Sequence, residues 1–109
     1  MIRIKIKRNP DGSVAEFSIT GHACYADHGE DIVCAAVSAI SIGIYNSIEV
    51  LVGIELPVRQ GKSGDLTCWI PSDYPAKKQE QIQLLLEAMI VSLKEIQKEH
   101  SSFVKLTEK

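Results

Sequence analysis

Gly29-Glu30-Asp31-Ile32-Val33-Cys34-Ala35-Ala36-Val37-Ser38, residues 29–38, is where the patterning of the chain changes. Upstream, apolar residues alternate with polar ones, the period of a strand with one buried face; downstream they recur every three or four residues, the period of a helix. From Asp31 onward Ala35, Ala36, Ile40, Ile44 and Ile48 mark one helical face, and Val33, Val37, Ile42 and Leu51 widen it almost all the way round. The spacing predicts a helix set deep in the fold and ending near Gly53. Working back, Ile2, Ile4 and Ile6 alternate with basic residues. Asn9-Pro10-Asp11-Gly12 has turn chemistry, and Val14, Phe17 and Ile19 form a second extended run that stops at Thr20-Gly21. This predicts a hairpin, followed by a loop over residues 22–31.

Working forward, Leu56 to Gln60 and Leu66 to Ile70 flank Gly61-Lys62-Ser63-Gly64-Asp65 and predict a second hairpin. Pro71 to Pro75 reads as the approach to a helix, with Ser72 or Asp73 as the cap and Pro75 in the first turn. Ile82, Leu85, Leu86, Met89, Leu93 and Ile96 give that helix one apolar face, and Phe103 to Leu106 adds a short last strand. The expected class is α+β with a mostly antiparallel sheet, one buried and one amphipathic helix, in the order β-β-α-β-β-α-β. Beyond the coarse likeness of two ββα halves there is no internal repeat.

A chain of 109 residues with 45% hydrophobic side chains fits a single domain, residues 1–109, around one core. Its formal net charge of −2 gives no push toward nucleic acid or an anionic membrane, so recognition by bulk charge is not expected. The amino terminus alternates where a secretory signal would carry an unbroken apolar run. The apolar stretch from Ile32 to Leu56 contains Asn46 and Glu49, which favours a core helix over a membrane span. Cys24, Cys34 and Cys68 are an odd set without a signal peptide, which predicts reduced thiols and a cytoplasmic protein.

The chemistry is expected at the junction of strand and helix. If Asp31 is the N-cap, Cys34 sits in the first helical turn, where free N–H groups and the positive end of the dipole favour a thiolate. Cysteines at such sites titrate at roughly 3.5–7.5 instead of about 8.5. A buried structural cysteine is the alternative. His22 follows the strand directly through Gly21, so its imidazole is anchored and can act as general base and acid, whereas His28 lies mid-loop and His100 near the end of the second helix. Asp31 is either that N-cap or a group orienting His22; Ser38, one turn beyond Cys34, either bonds a local carbonyl or lines the site. Cys24 and Cys68 are read as bystanders. Zinc on His22 and Cys24 with Cys34 or His28 is disfavoured because no C-x-x-C pair clamps an ion, and no metal or cofactor is expected.

Gly21-His22-Ala23 followed by Gly29, Asp31, Val33, Cys34, Ala35 and Ser38 resembles the G-H-A and G-x-D-[IV]-V-C-A-x-x-S pattern of the bacterial ribosomal-processing cysteine proteases. Length and element order agree over essentially the whole chain. The resemblance implies a homodimer that removes an amino-terminal extension from protein twenty-seven of the large ribosomal subunit (bL27), with Cys34 and His22 as catalytic dyad. It also implies a moving loop between them, for which Gly21 and Gly29 would be hinges, and an apolar groove for the substrate extension. Attack by the Cys34 thiolate, protonation of the leaving amine by His22 and hydrolysis of the acyl-enzyme would complete the reaction. Backbone N–H groups near the helix start would form the oxyanion hole, each worth about 2.7–4 kcal/mol in the transition state. Direct contact with nucleic acid or membrane is not implied. A non-catalytic, ribosome-associated adaptor holding a peptide in the same loop is the competing reading, and a zinc-stabilised structural module the third.

Overall fold

The computed structural model describes residues 1–21, 28–61 and 65–109, and for residues 28–31 the backbone only. β1 (Ile2–Arg8) and β2 (Val14–Thr20) form the first hairpin. α1 (His28–Ser47) follows and passes into one π-helical turn, Ile48–Val52. β3 (Val58–Gln60) and β4 (Leu66–Trp69) form the second hairpin, α2 (Ala76–Glu99) crosses back, and β5 (Val104–Glu108) closes the chain. The α+β class, the mostly antiparallel sheet and the element order are as expected.

The sheet order is β3-β4-β2-β1-β5, antiparallel except for the β1–β5 pair, which is parallel. Pleating explains which face is covered. Ile2, Ile4 and Ile6 of β1, Phe17 and Ile19 of β2, Leu66 and Cys68 of β4 and Val104 of β5 all turn inward and are buried. They meet Val33, Cys34, Val37 and Ile48 of the first helical segment and Ile82, Leu86, Met89, Ile90 and Leu93 of α2 in one core. Each fully buried aliphatic side chain contributes about 1.5–3 kcal/mol of transfer free energy.

Polar clamps fix α2 on the sheet. Gln83 accepts from the Val14 N–H at 2.7 Å and donates to the Val14 carbonyl at 3.0 Å. Arg8, at the β1 bulge, grips Glu87 of α2 through two bonds of 2.6 and 3.0 Å and reaches Glu108 of β5 at 2.8 Å. These bonds hold the Glu87 and Glu108 carboxyls below the usual carboxylate range; for Glu108 the larger share comes from Lys94.

Three local expectations are corrected. α1 begins at His28, not after Asp31, so Asp31 is its fourth residue and not its N-cap. Gly29, expected as a loop hinge, lies in that first helical turn, and His28, expected mid-loop, opens it. The N-cap position of α2 is Pro75 and makes no side-chain cap bond, so neither Ser72 nor Asp73 caps it. A proline there needs no N–H, and Gln79 instead donates to the Pro71 carbonyl at 2.5 Å to tie the turn to the helix. Nor is the first helical segment enclosed: Ile42 is 44% exposed, and Val50 and Leu51 of the π turn are 80% and 72% exposed. The 32–52 segment is long and apolar enough to cross a membrane by length and composition, but its inner side is part of the core against the sheet. Its outer side is an apolar surface.

Candidate active site

β2 carries the chain to Thr20, paired with Arg3 of β1, and then to Gly21. Gly21 has φ +81°, in the left-handed region that side-chain-bearing residues avoid. A Cβ there would lie 2.2 Å from the Met1 carbonyl oxygen, so the strand end passes too close to the amino terminus for any residue but glycine. The Gly21 N–H donates to Asp65 Oδ1 at 3.3 Å. Asp65 directly precedes β4, and the Ile19–Leu66 pair brings it beside the end of β2. The departure point of the His22 segment is therefore held from two sides. His22 itself, with Cys24, lies outside the described residues, as do the side chains of His28 and Asp31.

Cys34 is the seventh residue of α1 and is fully buried. This departs from the expected solvent-reachable place in the first turn, because the helix gains a turn at its amino end. The dipole effect falls off within the first turn, so the helix alone does not activate this sulfur. Cys34 is disulfide-bonded, which departs from the expected reduced state. Nucleophilic attack requires that bond to be reduced to a thiolate and the sulfur to be exposed. Ser38 is half-buried one turn further along the same side of the helix. Ser41, another turn on, is buried and donates to the Val37 carbonyl at 2.8 Å, which satisfies its hydroxyl inside the core. Cys68 is free and buried in β4, and burial alone pushes its thiol up to about 12.

Sequence reading missed Asp65 as an anchor of the His22 segment, since only the β4–β2 pairing brings residue 65 to residue 21. No group of three or more potential metal ligands occurs among the described residues. A cavity of about 590 Å³ opens between the β1–β2 turn and the start of α2, lined by Asn9, Asp11, Ser13, Gln79, Glu80 and Gln83. It sits at the other end of β2, about 20 Å from Gly21 at 3.3 Å per residue, and is separate from the strand-end site.

The five-stranded α+β fold backed by two helices, with Cys34 on α1, is that of a small cysteine protease. The chain belongs to the cysteine protease Prp family, whose sequence profile matches residues 1–105. It is 36% identical over 108 residues to the ribosomal processing cysteine protease Prp of Bacillus subtilis (strain 168), covering 98% of this chain and 96% of that one. Two crystal structures of the essential ribosomal processing protease Prp from S. aureus align over 100% of both chains. One is in complex with a substrate peptide (TM-score 0.87, 29% identity) and one with a covalently linked product peptide (TM-score 0.85, 30% identity).

Proposed function

We propose that this chain is a cysteine endopeptidase that removes the amino-terminal extension of large-subunit ribosomal protein twenty-seven, with Cys34 as nucleophile and His22 as general base and acid. The observation that carries this reading is the full-length match to a protease that has been captured with a covalently linked product peptide. After the Cys34 disulfide is reduced, His22 takes the thiol proton and the sulfur adds to the scissile carbonyl. The C–N bond then breaks as the imidazolium protonates the amine, and water hydrolyses the thioester. Because Cys34 lies beyond the first turn of α1, the histidine, more than the helix dipole, supplies the activation. Ser38 lines the same helix face one turn deeper, and orienting the imidazole is the role left to Asp31 once the helix start removes its N-cap role.

The protein works as a homodimer in the cytoplasm, the compartment that keeps thiols reduced. Support for the dimer comes from the helical layer. Leu84 and Val91 of α2 are exposed, and a shallow groove between the helices is lined by Ala39, Ile40, Gly43, Ile44 and Ala88. An apolar surface of this kind suits a two-fold partner.

The test is cleavage of a peptide spanning the extension junction by protein reduced beforehand with a small thiol. Wild type cleaves; Cys34→Ala and His22→Ala lose at least 10³-fold while keeping the far-ultraviolet dichroism of the parent. Light scattering gives twice the 12.0 kDa chain mass. Stoichiometric binding of the peptide with no turnover by the reduced wild type would point instead to the adaptor reading.

A further inference from the structure

The outer face of the sheet carries a cluster of basic side chains. Arg3, Lys5, Lys7 and Lys105 are exposed on it, and Arg59 of β3 joins them from the far edge. In register, Lys105, Arg3 and Thr20 form one row across the strands. Thr107, Lys5, Ser18, Thr67 and Arg59 form the next, and Lys7, Glu16 and Trp69 the third. These five cations share the face with two carboxylates, Glu16 and, next to Thr20 at the start of β4, Asp65, on a protein whose formal net charge is −2. Net charge conceals this asymmetry. Arg3 and Lys105 stand directly opposite each other, an arrangement of like charges that destabilises a sheet. A face that tolerates such repulsion is suited to an anion.

The third row ends in an aromatic. The Arg59 guanidinium lies over the Trp69 ring, 5.3 Å from its centroid, on the same face as the lysines. Along β1 the basic side chains repeat every two residues, about 6.6 Å, and the Arg–Trp pair lies to one side of that line, Trp69 two strands away across Glu16, about 10 Å, on the same face. A line of cations beside a flat stacking platform matches what an unpaired nucleic-acid strand presents, phosphates along one edge and bases with π faces.

We propose that the open sheet face binds single-stranded RNA, with Arg3, Lys5, Lys7 and Lys105 along the phosphodiester backbone and a base stacked on the Arg59–Trp69 pair. An acidic polypeptide would satisfy the cations but leave the stacking pair unused, so the observations favour RNA. The surface is the face of the sheet away from the core, and its Lys105–Arg3–Thr20 row ends next to Gly21, where the His22 segment departs.

The experiment is fluorescence anisotropy of a labelled 20-nucleotide oligouridylate with the full-length reduced protein, together with emission from Trp69, the one tryptophan of the chain. With about four phosphates neutralised, the slope of log K against log salt is about −2.8, a loss of about 50-fold between 50 and 200 mM salt. Lys5→Gln combined with Lys7→Gln, both at exposed positions, reduces the slope by about 1.4 and leaves melting temperature and peptide cleavage unchanged. RNA shifts the Trp69 emission, and polyglutamate of matched charge competes at least tenfold more weakly. Absence of RNA binding at 50 mM salt, a slope unaltered in the double variant, or equal competition by polyglutamate would each overturn the proposal, the last in favour of an acidic protein partner.

Discussion

Gly21→Ala tests how the sheet delivers the His22 segment. Two effects add at this position. Holding a residue with a Cβ at φ +81° costs about 1–2 kcal/mol. The new Cβ also stands 2.2 Å from the Met1 carbonyl oxygen, where real contacts do not fall below 3.0 Å, so the chain must move by about 0.8 Å. Relief is limited, because Ile2 bonds to Phe103 and Arg3 is paired with Thr20. Overpacking of this kind costs a further 1–3 kcal/mol or so. Gly12→Ala is the internal control: its φ is +90° but nothing lies within 4 Å, so it carries only the backbone strain. Any gain from a stiffer unfolded chain is common to both and cancels. Urea unfolding followed by circular dichroism should therefore place Gly21→Ala about 1–3 kcal/mol below Gly12→Ala. A misplacement approaching 1 Å next to the base we propose, His22, can lower kcat by about 10²-fold, so Gly21→Ala is expected also to lose turnover at temperatures where it is folded, while Gly12→Ala is not. Equal stabilities for the two variants would refute the steric argument, and a destabilised Gly21→Ala with unchanged kcat would refute the link to His22.

Two further outcomes follow from the charged and buried groups. Glu87 and Glu108 have depressed carboxyl pKa values, so their ion pairs contribute stability that is complete above the ordinary glutamate value of about 4.3 and is lost as pH falls through the lower folded values. Arg8→Met should therefore lower stability at neutral pH and flatten its decline on acidification; a parallel decline in urea titrations at pH 7 and pH 3 would contradict this. Cys68, buried and pushed up to about 12, should resist iodoacetamide in the native reduced protein at pH 8 and react only in urea, with Cys68→Ala cleaving normally. Rapid native labelling of Cys68 by mass spectrometry would show that the β4 packing is looser than described.

The alternation of Ile2, Ile4 and Ile6, the turn at Asn9–Gly12 and the three-to-four spacing from Val33 to Ile48 were enough to predict both hairpins, both helices and the order of elements. Each of these signals is local, because backbone geometry repeats every two or every 3.6 residues and side-chain polarity follows it. The G-H-A and D-I-V-C-A motifs were legible in the same way and led to the protease family. The start of α1 was not. Residues 28–30 carry no apolar period of their own, so only the backbone of the folded chain sets the first turn, and with it the depth of Cys34. Tertiary pairing decided the rest. The parallel docking of β5 against β1, the approach of Asp65 to Gly21, the closeness of Met1 to the strand end and the gathering of Arg3, Lys5, Lys7, Arg59 and Lys105 on one face join residues far apart in the chain. Such contacts are chosen by the competition among alternative packings of the same amphipathic elements, which no local period records.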